Sequence, residues 1–222
     1  KEKLFIKNEF QYLAMSKPPI YWKKAKKILS RRDPVLRKLI KKYPRTSLGT
    51  RNTPFISLAR ICVSQQISTK AADAIWFKFK KICKNKINPK KISELSTAKL
   101  KSAGLSRQKV KYLKNLAKSF KNKSFDPKKL KYMNSEEITD YISQLKGYSV
   151  WSSNMYKIFS LNLPDCFPTT DIGVLRSLSV NYKTKYPPSR KFLEKISKKY
   201  SGYRSVATIF LWRSLDPGEV EY

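Results

Sequence analysis

The sequence has no histidine and few acidic residues, which limits the chemistry it can perform. Its 222 residues include 49 Lys and Arg but only 15 Asp and Glu, so the formal net charge is +34. Histidine is the usual general base near neutral pH and the commonest metal ligand. Any reaction catalysed by this chain is therefore expected to use a carboxylate as its base, without the usual zinc chemistry.

Cysteines and long apolar segments are also scarce. Cys62, Cys83 and Cys166 stand too far apart in the sequence for a metal-ligand motif or a disulfide framework. This cysteine usage fits a reducing, intracellular compartment. No apolar run reaches the roughly 20 residues that span a bilayer, and the N-terminus lacks the apolar core of a secretory signal. We therefore expect no membrane-spanning segment.

Apolar residues are nevertheless numerous enough to build a core. They make up 41% of the chain, which is too many for a disordered polycation. A chain of this length can fold as one large domain or as two small lobes. A folded protein with a strongly positive field is expected to bind polyanions, such as nucleic acids or anionic membrane surfaces.

The pattern of apolar residues predicts an all-α fold. Segments such as PFISLARICVSQQ and SRQKVKYLKNLAKSF carry apolar residues at helical spacing, and Ser, Thr or Asn stands where several helical segments begin. Proline and glycine separate the segments, and no strand-like alternation persists. Residues 1–20 are expected to form a poorly specified N-terminal tail.

Two short stretches carry features of DNA binding and catalysis. LKGYSVWSS (145–153) joins two predicted helices through a turn at Gly147, which lets backbone N–H groups of the following helix approach a phosphate. Further along, FPTTDIGVLRSL places Asp171 where a helix begins. Asp is a favoured N-cap, so Asp171 alone is compatible with capping or with catalysis. A single glycine turn likewise often does no more than connect two helices.

Together these stretches resemble the helix–hairpin–helix, Gly/Pro-rich, Asp superfamily of DNA glycosylases, and most of all its DNA-3-methyladenine glycosylase II family. The matching blocks are PFISLARICVSQQISTKAADAIW (54–76), LKSAGLSRQKVKYLKNLA (100–117), LKGYSVWSSNMYKIFSL (145–161), PDCFPTTDIGVLRSL (164–178) and YRSVATIFLWRSL (203–215). Their order and spacing extend the resemblance over nearly all of residues 21–216. The chain matches the short form of the family, without the N-terminal β-rich domain of longer members.

The resemblance implies a catalytic site around Asp171, which matches the family's catalytic carboxylate. By the same resemblance the pocket for the damaged base is lined by Trp151, Trp212 and Met155. Relatives that also cut the DNA backbone have a lysine at position 151, which attacks the sugar and forms a Schiff base. The aromatic residue at this position implies a monofunctional enzyme that removes a base and leaves an abasic site.

The resemblance also implies which residues contact DNA. Gln66 matches the plug residue, which fills the gap left in the duplex by an extruded nucleotide, and Gln65 lies beside it. The other expected contacts are in the hairpin, at Gly147, Tyr148, Ser149 and Ser152. Ser149 replaces the second glycine of the family pattern, which loosens the expected approach to phosphate.

Hairpins of this family hold a monovalent cation through backbone carbonyl groups. By position, those carbonyls belong to Ser143, Leu145 and Tyr148. A structural Na⁺ or K⁺ ion is therefore the only cofactor expected.

The resemblance implies two helical lobes with a cleft between them, within a single domain of residues 21–222. Residues 54–160 are expected to build one lobe, and residues 21–53 with 161–222 the other. Asp171 is expected at their junction, since clefts between lobes are common locations for active sites.

We therefore expect a monofunctional DNA glycosylase that hydrolyses the N-glycosidic bond of alkylated purines in duplex DNA. Of the two polyanions considered above, its expected partner is double-stranded DNA with damaged bases and not a membrane. The protein is expected to be a monomer, cytoplasmic, bacterial and associated with the nucleoid. Two alternatives stay open. A catalytically inactive helix–hairpin–helix DNA-binding protein is suggested by Ser149, and a glycosylase/lyase for oxidised bases is disfavoured by Trp151.

Overall fold

The computed structural model describes residues 18–49 and 52–215, which are helical apart from turns and loops. Most of the predicted N-terminal tail therefore lies outside the described residues. In chain order the helices are α1 (Trp22–Arg32), α2 (Pro34–Lys42), α3 (Pro54–Ser64), α4 (Thr69–Ile82), α5 (Pro89–Glu94), α6 (Thr97–Lys101), α7 (Arg107–Lys121), α8 (Ser135–Ser143), α9 (Val150–Phe159), α10 (Ile172–Tyr182), α11 (Arg190–Lys199) and α12 (Arg204–Leu215). A 3₁₀ helix, Pro127–Tyr132, lies between α7 and α8. The predicted all-α fold is confirmed.

Polar residues before the helices explain where most of them begin. Each accepts a hydrogen bond from a backbone N–H of the first helical turn, which is worth about 1 kcal/mol for a typical cap. These caps are Asp33, Thr53, Ser68, Asn88, Ser96, Ser106, Asn134, Asp171 and Ser189. Ser149 stands in the same position before α9 but makes no such bond.

The helices pack as two groups, in agreement with the expected two-lobed architecture. Helices α3 to α9 form the first group, in which α5 packs on α7 and α8 packs on α9. Helices α1, α2, α10 and α12 form the second group. Buried apolar side chains form one core cluster that includes residues of both groups. The residue boundaries given above for the lobes stay a prediction.

The segment between α9 and α10 is tied to the second group before it reaches Asp171. The Tyr21 hydroxyl donates to the carbonyl oxygen of Asn162 at 2.7 Å. The backbone N–H of Ser205 donates to the carbonyl oxygen of Pro164 at 3.0 Å. These two bonds fix the course of the chain that leads to Asp171.

A fully buried carboxylate, Asp33, ties α2, α10 and α11 together. Oδ1 accepts the Leu36 N–H at 2.9 Å, while Oδ2 accepts the Tyr182 hydroxyl at 2.7 Å and pairs with the Lys199 ammonium at 2.6 Å. Burial by itself would raise the pKa of Asp33. The bonds from Lys199, Leu36 and Tyr182 outweigh burial and hold that pKa below its usual value.

Asp33→Asn is expected to lower the free energy of unfolding at pH 7 by about 2 kcal/mol, because it removes the charge that Lys199 and Tyr182 bind. Folding lowers the pKa of Asp33, so its contribution is present above the unfolded value of about 3.9. The contribution is lost as the pH falls through the lower folded value. Thermal unfolding should therefore show a Tm difference between wild type and variant that shrinks below about pH 4. Equal Tm values at pH 7 would contradict this role.

Candidate active site

Asp171 caps α10 at the place where the two groups of helices meet. Its backbone is extended, with φ −74° and ψ 123°, and its Oδ1 accepts the Val174 N–H at 2.8 Å. This is the capping geometry expected of an Asp at a helix start. The cap uses one of the several acceptor positions of the carboxylate, so capping leaves room for a second role.

Two tryptophans hold the same carboxylate, one from each group of helices. Nε1 of Trp212, in α12, donates to Oδ1 at 2.8 Å, and Nε1 of Trp151, in α9, donates to Oδ2 at 2.8 Å. With the Val174 N–H, three donors converge on one carboxylate. Because each bond is directional, together they fix its position and orientation. We call Asp171, Trp151 and Trp212 the carboxylate clamp.

Gly173 makes room for the carboxylate clamp. A Cβ atom at this position would lie 2.9 Å from Cδ1 of Trp212 and 3.0 Å from Oδ1 of Asp171. These separations are too short for a methyl group packed against a ring and a carboxylate. The glycine is therefore required by the approach of the Trp212 indole to Asp171.

The two tryptophans differ in how much ring surface they expose. Trp212 is 8% exposed, and its ring stacks on Phe159 with centroids 5.7 Å apart and planes 9° apart. Trp151 is half-buried, and Met155 is fully buried. Trp151 thus exposes more of its surface than Trp212, and the predicted pocket roles of Trp151, Trp212 and Met155 stay predictions.

The hairpin between α8 and α9 presents an uncapped helix start. The Ser153 N–H donates to the Ser149 carbonyl oxygen, so the N–H groups of residues 150–152 precede the first intrahelical bond. Ser149 and Val150 are exposed, whereas Ser152 is buried. Exposed N–H groups at the positive end of a helix suit an anion such as phosphate. The predicted DNA contacts at Ser149 and Ser152 stay predictions.

Tyr148 points into the protein rather than outward. Its ring is buried, and its hydroxyl donates to the carbonyl oxygen of Leu58, in α3, at 2.8 Å. The side chain thus anchors the hairpin on α3, so only the backbone of Tyr148 is suited to the predicted DNA contact.

Gly147 is required by its backbone conformation and by a neighbouring ring. Its φ is +91°, in the left-handed region, and an added Cβ would lie 2.3 Å from Cγ of Tyr112 in α7. The sequence suggested a glycine here for close approach to phosphate. The structure adds a packing reason on the protein side of the turn.

Gly147→Ala is expected to weaken DNA binding about tenfold, because the turn must move away from Tyr112 to accept a methyl group. Gly202→Ala is the matched control. Gly202 has a similar φ of +87°, but no atom lies within 4 Å of the position of its Cβ. Affinity for a short duplex, measured by fluorescence anisotropy, should fall for the first variant only. Equal losses of DNA affinity in the two variants would show that the contact with the Tyr112 ring does not affect binding.

The loop after α3 places the two glutamines differently. Nε2 of Gln65 donates to the Gly147 carbonyl oxygen at 2.8 Å and to Oγ of Ser152 at 3.0 Å. Gln66 is exposed and has a φ of +56°, a conformation that costs a non-glycine residue roughly 1–2 kcal/mol. A similar φ occurs at five other non-glycine residues, so it does not by itself mark a functional position. The geometry is compatible with the predicted plug role of Gln66, whereas Gln65 faces the hairpin.

One of the three carbonyl groups predicted to bind the cation already accepts a hydrogen bond. The carbonyl oxygen of Leu145 already accepts the Tyr148 N–H at 3.0 Å, although a carbonyl oxygen has a second lone pair. The backbone carbonyls of Ser143, Leu145 and Tyr148 are hard oxygen donors that suit Na⁺ or K⁺. The ion itself stays a prediction.

Acidic and cysteine side chains do not form a metal-binding cluster within residues 18–49 and 52–215. In these ranges no helix is long and apolar enough to cross a membrane. Cys62, Cys83 and Cys166 are buried free thiols. Burial raises the pKa of Cys62 to about 12, which leaves it un-ionised at neutral pH.

Sequence reasoning missed Gly173 and Tyr112. The only sequence signal for Gly173 was its position two residues after Asp171, and Tyr112 carried none. Both act through contacts that depend on how distant helices pack.

Known proteins resemble the chain over most of its length. Residues 59–201 match the family model for HhH-GPD superfamily base excision DNA repair proteins. DNA-3-methyladenine glycosylase 1 of Schizosaccharomyces pombe is 28% identical over 180 residues, which cover 80% of this chain and 79% of that protein. The alkylbase DNA glycosidase-like protein mag2 of the same yeast is 29% identical, covering 90% and 96%. The structure of S. pombe 3-methyladenine DNA glycosylase in complex with abasic DNA matches with a TM-score of 0.78 and 27% identity, covering 86% and 96%.

Proposed function

Because the chain belongs to the HhH-GPD superfamily of base excision DNA repair proteins, we propose that it is a DNA glycosylase for alkylated purines in duplex DNA. The names of its relatives support this substrate class. The observation that carries the proposal is the carboxylate clamp, in which Asp171 is held by three N–H donors where the two helical groups meet.

DNA is captured through its phosphates. The net charge of +34 provides a strong attraction for the duplex, and the uncapped start of α9 offers N–H groups to one phosphate. Binding of this kind weakens steeply with salt, because cations condensed on the DNA are released.

The damaged nucleotide must then leave the base stack, because the bond to be broken is inaccessible inside the duplex. The exposed Gln66 is placed on a strained loop beside the hairpin and fills the gap. Extrusion costs a few kcal/mol, and less for a poorly stacked base, which gives some selectivity before the reaction starts.

The two tryptophans of the carboxylate clamp have different roles. Both indole N–H groups orient Asp171. The half-buried ring of Trp151 also offers surface to a cationic alkylated base, where a good cation–π contact is worth roughly 0.5–2 kcal/mol. Trp212 acts mainly through its N–H, since its ring is stacked on Phe159.

Asp171 acts on the sugar. A cationic base departs without a strong general acid, which fits a chain with no histidine. Its departure leaves positive charge on the sugar, and a fixed carboxylate stabilises that charge and accepts a proton from the attacking water. The products are a free base and an abasic site.

The enzyme is proposed to be monofunctional, because Trp151 stands where similar enzymes that cut the DNA backbone have a lysine, and its indole N–H donates to Asp171 instead. Alkylated duplex DNA should therefore show strand breaks only after alkali, and borohydride should trap no protein on it. A covalent adduct would instead support a glycosylase/lyase. DNA binding without any base release would support the inactive DNA-binding protein.

We further propose that the protein is a monomer, that its hairpin holds a monovalent cation, and that it acts in the cytoplasm of a bacterial cell, associated with the nucleoid. The choice among alkylated purines depends on the pocket around Trp151.

A further inference from the structure

The carboxamide of Gln65 is fully engaged as a donor by the hairpin. One amide hydrogen suits the Gly147 carbonyl oxygen at 2.8 Å and the other suits Oγ of Ser152 at 3.0 Å. These acceptors lie in the turn and in the first turn of α9, which presents the phosphate-binding N–H groups. Gln65 therefore has no amide hydrogen left to donate to DNA in this arrangement.

The loop that carries Gln65 is held from its other side as well. Nζ of Lys109 donates to the carbonyl oxygen of Val63 at 2.7 Å, near the end of α3. The hairpin in turn is fixed to α3 by the Tyr148 hydroxyl and Leu58. The Lys109 and Tyr148 bonds both act on α3, before the loop, whereas the Gln65 side chain joins the loop itself to the hairpin.

Gln66 follows directly and needs a defined backbone to point outward. Its φ of +56° is unfavourable for a non-glycine residue, so the surrounding contacts must impose it. Gln65 is the adjacent residue, and its side chain is anchored to the hairpin. The hairpin thereby sets the orientation of the peptide from which Gln66 projects.

We propose that Gln65 is a positioning residue that holds the plug residue Gln66 at a fixed distance from the phosphate-binding hairpin. A duplex anchored at the hairpin then meets the plug already in register with the nucleotide to be extruded. The inference rests on the proposed glycosylase function and adds a part to it. Gln65 couples phosphate capture to extrusion, rather than contacting DNA beside Gln66.

The first test compares duplex and single-stranded alkylated DNA as substrates of Gln65→Met, which keeps the side-chain length and removes the donors. We expect kcat/KM to fall about tenfold on duplex DNA and to stay unchanged on single strands, which need no plug. Gln108→Met, at an exposed glutamine in the first turn of α7, is the matched control and should change neither. Equal losses on both substrates would mean a merely structural role.

The second test is a double-mutant cycle. If Gln65 acts through Gln66, Gln65→Met should cause no further loss of duplex activity in a Gln66→Ala background. Additive losses would overturn the proposal. Gln65→Glu, whose carboxylate lacks both amide hydrogens, should regain activity relative to wild type as the pH falls and the carboxyl group is protonated. Gln65→Met should not.

The extrusion step can be followed without base release. Fluorescence of 2-aminopurine placed at the extruded position should rise on binding of wild type and much less with Gln65→Met, at equal occupancy. If wild type extrudes the base but releases none, the proposed reaction fails while the role of Gln65 stands. Equal fluorescence for both proteins would overturn the role of Gln65 alone.

Discussion

Asp171→Asn is expected to lower the rate of base excision by roughly a thousandfold, while affinity for DNA stays the same or rises slightly. The variant loses the negative charge that stabilises the sugar cation in the transition state. Asn retains the capping oxygen for Val174, since Asn is also a good N-cap. Removal of a negative charge near the phosphates favours DNA binding.

The loss of one indole bond to residue 171 is expected to lower the excision rate further. In the wild type both carboxylate oxygens accept indole N–H groups. In Asn one of these oxygens becomes an NH₂ group, which would face an N–H donor and lose that bond. Single-turnover excision and anisotropy binding on the same alkylated duplex would separate the two effects. Asp126→Asn, at the cap of the 3₁₀ helix, is the matched control and should excise like wild type. Full activity of Asp171→Asn would rule out the assignment.

Gly173→Ala is expected to slow excision about a hundredfold while the protein stays folded, since the gain in helix propensity offsets part of the packing cost. The added methyl group would lie 2.9 Å from the Trp212 ring, so the indole must move away from Asp171. A displaced indole no longer orients the carboxylate. A small misplacement of a catalytic group can lower the reaction rate strongly. The substitution would otherwise favour the helix by roughly 1 kcal/mol, because alanine is the better helix former.

Trp212→Phe provides the comparison for this prediction. It keeps a ring that can stack on Phe159 and removes only the N–H donor to Oδ1. If the N–H bond is what matters, both variants should lose kcat with little change in KM, and thermal unfolding should show both folded. A loss confined to KM would instead indicate that Trp212 contacts the base.

The sequence was sufficient to predict an all-α fold, the caps at the starts of α4, α8 and α10 and the position of Asp171, because each depends on local spacing and local hydrogen bonds. It did not reveal that Trp151 and Trp212 bind Asp171 through their N–H groups. Those bonds span 20 and 41 residues and require α9, α10 and α12 to converge. A resemblance can assign a tryptophan to a pocket wall, but it does not show which edge of the ring is used.

Gln65 is a similar case. In the sequence the pair Gln65–Gln66 is two polar residues at the end of an apolar helix, and only the family resemblance distinguishes them. The structure separates them, since Gln65 turns to a hairpin 82 residues away and Gln66 remains exposed. This difference depends on the packing of α3 against the hairpin, which no local pattern encodes.

The most direct measurement is the identification of the product released from alkylated duplex DNA. The protein is incubated with DNA that carries radiolabelled methylpurines, and the soluble fraction is separated by chromatography. The proposed function predicts free methylpurine base, with strand breaks that appear only after alkali. Release of methylated nucleotides, or no release under conditions where the protein binds the duplex, would contradict it.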